Sequence, residues 1–433
     1  MPEHSEALPG YEDHTLSSPV LRQEVWGEQT YTFDTKGGTW LWLKLKSRST
    51  RPSDETLPLY YEKDSVQGTV EVDFSKMAGG KGIRVTVHGG IMTVGEEEVP
   101  FLDISKDIWD AQTLNGQKPH GKLAFPFSIP LPSEVSVPEK YAPKAPMVQA
   151  RLPPTFSERA STVYINYRIE VTLRRSALKT KQSVSKQFVY IPLSRAEPPS
   201  PLRYLAYQEH TDVLGPEADP EGWKVFAPIT VTGTLFGTKQ VAVTCRLAIA
   251  QPLSFAVGSP VPLHMTLTSV DQHALDLFSQ PSSIVIQLIR ERFLGAEALR
   301  EDEKSKRTDL RFQDLSGSNV AWKPSGEGEP VSGKKILIGE LLLGKALKPT
   351  FTFPRFAIKY SIVLQPFKVP GFVATTSDPL IKERVEIHAL NAPGFSPRSD
   401  LPPGYEHQEG DSTSSFGFLE NGDQRYYTSF HSW

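Results

Sequence analysis

The most regular alternation of apolar and polar residues in this 433-residue chain is Ile165-Asn166-Tyr167-Arg168-Ile169-Glu170-Val171-Thr172-Leu173. Every odd-numbered position is apolar and every even-numbered position is polar. Because successive side chains of a β-strand point to opposite faces, this stretch predicts a strand with one face in a core and the other in water.

The same period of two recurs on both sides of this strand. The runs before it are 40–46, 66–74 and 83–87, and 188–192 follows it. Those in the second half are 229–235, 241–249, 261–267, 284–288, 335–343, 356–364 and 381–387. The glycine-rich turn at 79–82 predicts that the 66–74 and 83–87 runs form a hairpin. Proline punctuates the run 121–132, which favours an edge strand or a bulge there. The pattern predicts an all-β fold of antiparallel β-sandwiches.

The length predicts two domains, because a single core stops growing at roughly 250–300 residues. Periodicity is lost over 196–222, so we expect a linker there, between one sandwich at 26–195 and a second at 223–388. Residues 1–25 and 389–433 lack apolar periodicity and are predicted to be disordered tails. Each tail carries a net charge of −4, from five acids and one base in the first and six acids and two bases in the second.

Cysteine usage and hydropathy bear on the compartment. Cys245 is the single cysteine, which excludes an intrachain disulfide and a cysteine-based zinc site and favours a reducing compartment. The acidic N-terminus has no apolar run behind it, and no stretch approaches the ~20 apolar residues of a membrane span. We therefore expect a cytoplasmic protein whose contact with membranes is peripheral.

A proline motif stands in the C-terminal tail, at Pro402-Pro403-Gly404-Tyr405. Adjacent prolines hold the backbone in a polyproline II helix, so little entropy is lost when an aromatic groove receives it. WW domains bind peptides of this type, and Tyr405 would supply specificity. Leu8-Pro9-Gly10-Tyr11 is a weaker copy, because leucine replaces the first proline. The alternative is that a proline-rich tail contains such a motif by chance.

A basic segment runs from Arg174 to Arg195 and contains no acid. We interpret it as the tip of a hairpin that contacts lipid phosphate or a phosphorylated cargo tail. Its basic residues are Arg174, Arg175, Lys179, Lys181, Lys186 and Arg195. The alternative is a solvated loop. A nucleic-acid ligand is disfavoured, because the aromatic residues lie on the core faces and do not alternate with the basic side chains.

Motifs for catalysis are weak. The stretch 339–345 has the glycine and lysine spacing of a phosphate-binding loop, but Ala346 stands where magnesium binding needs a hydroxyl. Asp271, His273 and Asp276 are interpreted as a polar connection between strands. His264 falls on the polar face of its strand and Cys245 on the apolar face of its own, which disfavours a catalytic pair. We expect no enzymatic activity, no cofactor and no metal.

Three stretches together resemble the arrestin N-terminal domain, in the style of fungal arrestin-related trafficking adaptors. They are Val66-x-Gly68-x-Val70-x-Val72, Gly121-Lys122-Leu123-x-Phe125-Pro126-Phe127-x-Ile129-Pro130-Leu131-Pro132 and Tyr164-x-x-Tyr167-x-Ile169-x-Val171. The resemblance covers roughly 36–195. Over 223–388 it depends on the strand pattern and on Leu253-Ser254-Phe255-x-x-Gly258.

The resemblance implies a non-enzymatic adaptor that joins a membrane transporter or receptor to a HECT-type ubiquitin ligase, so that ubiquitin is attached and the cargo enters endocytic sorting. It assigns ligase docking to Pro402, Pro403 and Tyr405, and secondarily to Leu8, Pro9 and Tyr11. Recruitment would be to the plasma membrane or endosomes. One rival is a sorting scaffold of the same fold that recruits no ligase. Another is a hydrolase or sugar-acting enzyme on a β-sandwich.

Overall fold

The structure is a computed structural model. It describes residues 26–35, 38–49, 57–76, 80–111, 119–139, 145–158, 161–175, 182–299, 311–317, 320–325 and 331–399. Over these residues most of the chain forms β-strands, which are arranged in four larger sheets and one two-stranded sheet. The predicted all-β sandwich fold is confirmed.

The strands before residue 192 form two of the larger sheets. They are β1 (Gly27–Thr35), β2 (Gly38–Ser47), β3 (Leu59–Tyr61), β4 (Ser65–Asp73), β5 (Gly80–Thr93), β6 (Val99–Asp110), β7 (Lys122–Pro130), β8 (Glu134–Pro138), β9 (Met147–Arg151), β10 (Val163–Arg175) and β11 (Gln182–Ile191). One sheet has the order β1-β2-β4-β7 and the other β3-β11-β10-β5-β6, while β8 pairs with β9. We call these strands the N-terminal strand set.

The core of the N-terminal strand set lies between its two larger sheets. The alternating strand is β10, and its odd-numbered side chains from Ile165 to Leu173 are all buried. They belong to one apolar cluster with Leu43 and Val70 of the opposite sheet. One buried face from each sheet therefore builds the core, as expected for a sandwich.

The predicted hairpin between the 66–74 and 83–87 runs is wrong. The first run is β4, which pairs with β2 and β7, and the second lies in β5, which pairs with β10 and β6. β4 therefore ends at Asp73 in one sheet, and β5 begins at Gly80 in the other. In the described part of the chain, β7 pairs only with β4, so the prediction of an edge strand over 121–132 is confirmed.

The strands after residue 222 form the other two larger sheets, and we call them the C-terminal strand set. They are β12 (Trp223–Val225), β13 (Ile229–Leu235), β14 (Lys239–Ala250), β15 (Ser254–Ala256), β16 (Pro260–Thr268), β17 (Ile286–Gly295), β18 (Arg311–Gly317), β19 (Val320–Pro324), β20 (Lys334–Leu342), β21 (Phe351–Phe353), β22 (Arg355–Leu364), β23 (Phe372–Ala374) and β24 (Ile381–His388). One sheet has the order β19-β20-β16-β14-β13-β23, with β12 also on β14, and the other β15-β24-β22-β17-β18, with β21 also on β22. Pairing is antiparallel except for β3 with β11 and β15 with β24, which the alternation did not predict.

The predicted linker contains a helix, α1 (Pro201–Glu209). Ser200 caps it by accepting a hydrogen bond from the backbone N–H of Arg203, and proline occupies the first helical position, where no N–H partner is needed. Arg203 is buried and donates to the carbonyl oxygen of Gln251 at 2.9 Å. The helix is short and lacks a broad apolar stripe, so periodicity did not reveal it.

The predicted disordered tail begins at 389, but its first eleven residues, 389–399, are packed against the rest of the chain. The backbone N–H of Leu390 donates to the carbonyl of Ser194 at 3.0 Å. The ring of Phe395 stacks on Tyr204 of α1 at 6.0 Å between centroids. This segment, the C-terminal strap, therefore joins the end of β24 to α1.

Candidate functional site

The predicted ligase-docking residues lie outside the described residues. This holds for Leu8, Pro9 and Tyr11 and equally for Pro402, Pro403 and Tyr405. The structure does describe the approach to the second motif, because the strap ends at Ser399. The hydroxyl of Ser399 donates to Glu340 of β20 at 2.8 Å, so Pro402 follows three positions after a residue anchored on a sheet.

The basic segment is a hairpin, as predicted, because β10 pairs antiparallel with β11. Lys179 and Lys181 lie outside the described residues, and only the backbone of Arg175 is described. The Arg174 guanidinium lies 2.9 Å from Asp110 and 3.7 Å from Asp107, both on β6. The segment lacks acids in sequence, but the neighbouring strand supplies them in space. Arg174 is thus partly neutralised before any phosphate approaches.

Lys186 has an aromatic contact. Its ammonium lies 4.4 Å from the centroid of the Tyr31 ring on β1, an arrangement in which the ring face attracts the cation. The structure describes the side chains of three of the predicted basic residues, Arg174, Lys186 and Arg195, and all three already have partners. Arg195 donates to the carbonyl oxygen of Asn391 at 3.3 Å.

A junction joins the N-terminal strand set to the C-terminal strand set. Aromatic rings meet across it, with Phe101 against Phe353 at 5.1 Å and Phe156 against Phe356 at 4.7 Å between centroids. Arg195 also forms a parallel β-bridge with Leu390 of the strap. Apolar packing and backbone pairing both hold the two strand sets together.

Charged residues cross the same junction, in what we call the junction cluster. Arg290 of β17 donates two hydrogen bonds to Glu158, at 2.8 and 3.1 Å, and a third to Asp314 of β18, at 3.1 Å. Arg292 lies 3.1 Å from Asp314 and 3.9 Å from Glu158. Two arginines thus meet two carboxylates, and Glu158 is the member contributed from before residue 192.

Burial sets the strength of this cluster. The Arg290 and Glu158 side chains are 17% and 19% exposed, and that of Arg292 is 8% exposed. Desolvation by burial lowers the pKa of Arg290, but the Glu158 carboxylate and Tyr360 outweigh it, so the pKa is raised overall. The guanidinium stays charged, and its charge needs the carboxylates.

Sequence reasoning missed the junction cluster, although one signal was present. The period of two continues from Ile286 and Leu288 through Arg290 and Arg292, which places both arginines on the buried face of β17. Cations on a buried face require anions nearby. Glu158 is 132 positions away, so only the folded chain identifies it as the partner.

A cavity of about 270 Å³ opens beside the junction. Its wall includes Leu152, Phe156 and Ile191 from the N-terminal strand set and Phe351 and His388 from the C-terminal strand set. Burial lowers the pKa of His388, so the ring is neutral at neutral pH. Its Nδ1 has no hydrogen-bond partner among the described residues. The cavity is mainly apolar, and polar side chains such as Ser157, Thr350 and Glu386 also line it.

The weaker sequence candidates have structural roles. Asp271 caps a short helix, α2 (Gln272–Phe278), by accepting from the backbone N–H of Ala274, where a polar connection was predicted. Asp276 pairs with Lys335 at 2.8 Å. Within the described ranges, no group of three or more His, Cys, Asp or Glu side chains is arranged to hold a metal.

Cys245 and His264 lie on opposite faces of their sheet, as predicted. Cys245 is 1% exposed, and burial raises the pKa of its thiol to about 12. His264 is half-buried beside Trp223, and desolvation lowers its pKa. A protonated thiol inside the core does not act as a nucleophile.

No family model and no curated protein matches this chain. In the part of the chain that the structure describes, no helix is both long and apolar enough to cross a lipid bilayer. A function must therefore be inferred from the residues themselves.

Removing the anion of the junction cluster should destabilise the fold. Glu158→Gln leaves two buried arginines with one carboxylate, so we expect the free energy of unfolding to fall by about 3 kcal/mol. Urea unfolding measures it. Glu96→Gln is the matched control, because Glu96 also pairs across the junction, with Arg355 at 2.7 Å, but is 53% exposed. It should cost less than about 1 kcal/mol. Equal losses of unfolding free energy in the two variants would contradict a larger contribution from the buried junction cluster.

The thiol of Cys245 should be unreactive in the folded protein. With its pKa raised to about 12, the thiol stays protonated at pH 8, and the core excludes the reagent. A chromogenic disulfide reagent should label one thiol per chain in urea and none without it. Rapid labelling of the native chain would show that the surroundings of Cys245 are open.

Proposed function

We propose that this chain is a non-enzymatic adaptor, related to the arrestin-related trafficking adaptors, that links a membrane transporter or receptor to a HECT-type ubiquitin ligase. The ligase performs the chemistry and attaches ubiquitin to the cargo, to the adaptor or to both. The adaptor is recruited to the plasma membrane or endosomes and promotes endocytic sorting.

The observation that carries this proposal is the Pro-Pro-x-Tyr motif in the sequence, which begins three positions after Ser399. Ser399 is anchored to Glu340, and Pro402 and Pro403 follow almost at once. The proline rings restrict the backbone before binding, so little entropy is lost when a WW domain receives them. A motif so close to a rigid body brings the ligase near whatever the body holds.

In this proposal, the cargo binds to the N-terminal and C-terminal strand sets. Their extended strand surfaces and the hairpin of β10 and β11 offer areas for a cytoplasmic cargo tail or anionic lipid. Arg174 and Lys186 already have partners, so the lysines at 179 and 181 carry more of this role. Lipid attraction is worth about 1 kcal/mol per basic residue close to the surface.

Two alternative functions make predictions that differ from those of the adaptor. A sorting scaffold of the same fold would bind cargo without binding WW domains. A hydrolase on a β-sandwich would need acidic side chains converging in a cleft, whereas the acids of the junction cluster are bound to arginines. WW binding separates the first rival from the adaptor.

The two tyrosine motifs should contribute unequally to ligase binding. Tyr405→Ala empties the tyrosine pocket of the WW domain and should remove most binding of the full chain to a ligase fragment that contains several WW domains. Tyr11→Ala should lower it modestly, because Leu8 replaces the first proline. A tethered second contact can raise the apparent affinity about 10²–10⁴-fold when both tails reach WW domains of the same ligase fragment.

Calorimetry or surface binding on the wild type, each single variant and the double variant measures this ranking. Tyr427→Ala is the matched control, since it removes a tyrosine of the same tail that no Pro-Pro pair precedes. Equal losses from the two single variants would contradict the ranking. Unaltered binding in the double variant would contradict ligase recruitment.

The basic hairpin should support weak, salt-sensitive attachment to anionic vesicles. Replacing Lys179 and Lys181 with glutamine should reduce binding by about 30-fold, at about 1 kcal/mol for each lysine. Arg174→Gln should change it less, because Asp110 already neutralises that charge. Co-sedimentation with phosphatidylserine vesicles measures both, with Lys345→Gln as control. Attachment that salt does not weaken would exclude an electrostatic contact.

A further inference from the structure

A groove of about 310 Å³ lies on the outer face of the sheet that contains β19, β20 and β16. Directly paired residues of neighbouring antiparallel strands place their side chains on the same face. The pairing therefore forms two rows across the three strands. The rows are Ala321–Glu340–Pro262 and Lys323–Ile338–His264, and all six residues line the groove.

An aromatic wall stands beside these rows. Trp223 lies 6.1 Å from the His264 ring, edge to face, and its indole N–H donates to the carbonyl oxygen of Leu214 at 2.9 Å. The guanidinium of Arg203 in α1 lies 5.0 Å from the same indole ring. These contacts fix the Trp223 ring in place, so it is a preorganised platform rather than a mobile side chain.

The C-terminal strap leads directly to this groove. Phe395 packs on α1, and Ser399 then hydrogen-bonds to Glu340, the middle residue of the first row. Pro262 of the groove is the direct neighbour of Glu340 on the adjacent strand. The last described residue of the strap is therefore anchored at the groove itself.

The segment that follows has the chemistry of a groove ligand. It reads Asp400-Leu401-Pro402-Pro403-Gly404-Tyr405-Glu406. A polyproline II segment advances about 3.1 Å per residue, so it takes Pro402 about 9 Å and Tyr405 about 19 Å from Ser399. Three strands span about 10 Å. In that conformation the motif would be long enough to cross both rows while Ser399 keeps its contact with Glu340.

The prolines also select the face of the sheet over its edge. Pro402 and Pro403 have no backbone N–H and cannot complete the hydrogen-bond ladder of a strand added beside β19. Their rings suit an aromatic-lined groove instead. Lys323 lines the groove, as do Asp212 and Glu340, so the match with the motif rests on its proline and tyrosine rings rather than on charge.

We propose that the segment from Leu401 to Tyr405 docks in this groove of its own chain and thereby masks the motif from a WW domain. This regulation rests on the proposed function, because it acts on the same motif. The docked form is closed to the ligase and the released form is open. A cargo or modification that frees the tail would expose the motif.

Crosslinking in the full-length chain tests the docking without any ligase. A photoreactive benzoylphenylalanine in place of Tyr405 should crosslink within the chain to peptides that include Trp223, His264 or Lys323. Ala321→Arg places a long charged side chain in the groove from its β19 side and should abolish these crosslinks. Ala242→Arg is the matched control, an exposed alanine on β14 of the same sheet outside the groove. Three outcomes would overturn the docking. They are crosslinks to other surfaces, crosslinks between two chains, and the absence of crosslinks.

WW affinity tests the masking. If nine molecules in ten are docked, the full chain binds a single WW domain about tenfold more weakly than a free peptide of residues 399–408. Ala321→Arg should raise the affinity of the full chain about tenfold, to that of the peptide, and Ala242→Arg should leave it unchanged. Equal affinities of wild-type chain and peptide would overturn the masking.

The two proposals fail differently. If the WW domain binds neither the peptide nor the Ala321→Arg chain, the ligase proposal fails, while the crosslinks still report docking. If the peptide binds and the crosslinks are missing, the docking fails and the ligase proposal stands.

Discussion

The buried pairing of Arg290 with Glu158 constrains how the two strand sets associate. Arginine on the buried face of β17 has lost water, and the carboxylate that replaces it comes from a residue before β10. Apolar packing between Phe156 and Phe356 tolerates small shifts, whereas a buried charge separated from its partner costs several kcal/mol. The cluster therefore selects one arrangement of the strand sets, and the neighbouring cavity keeps its shape as a consequence.

The two faces of each sheet have separate roles. Inner faces such as that of β10 are continuous apolar surfaces and provide stability. Outer faces carry the features that can be recognised, including the groove over β16, β19 and β20 and the Arg174 hairpin, where acids of β6 offset the basic charge. A two-faced strand can change its outer residues without cost to the core.

The C-terminal strap runs from the junction past α1 to the groove. It leaves β24 near the junction, packs Phe395 on α1 and ends with Ser399 at Glu340. A tail held at its root by hydrogen bonds and ring contacts presents the next few residues at high effective concentration to the surface beside it. Under the docking proposal, an internal contact of the Pro402-Pro403 segment would therefore compete with an external one.

The sequence by itself determined many of the strands and which of their faces is buried, because a period of two is a local property; Cys245 and the strand from Ile165 to Leu173 illustrate this. Strands without a clear period of two, such as β6, were not predicted. The sequence also predicted an edge strand or a bulge at β7 from its prolines, and four adjacent residues were enough to identify the Pro-Pro-x-Tyr motif. The tertiary structure alone decided which strands pair, so β4 and β5 lie in different sheets despite the turn between them. It alone matched Arg290 with Glu158 and placed Ser399 on Glu340, since no local pattern specifies contacts between residues far apart in the chain.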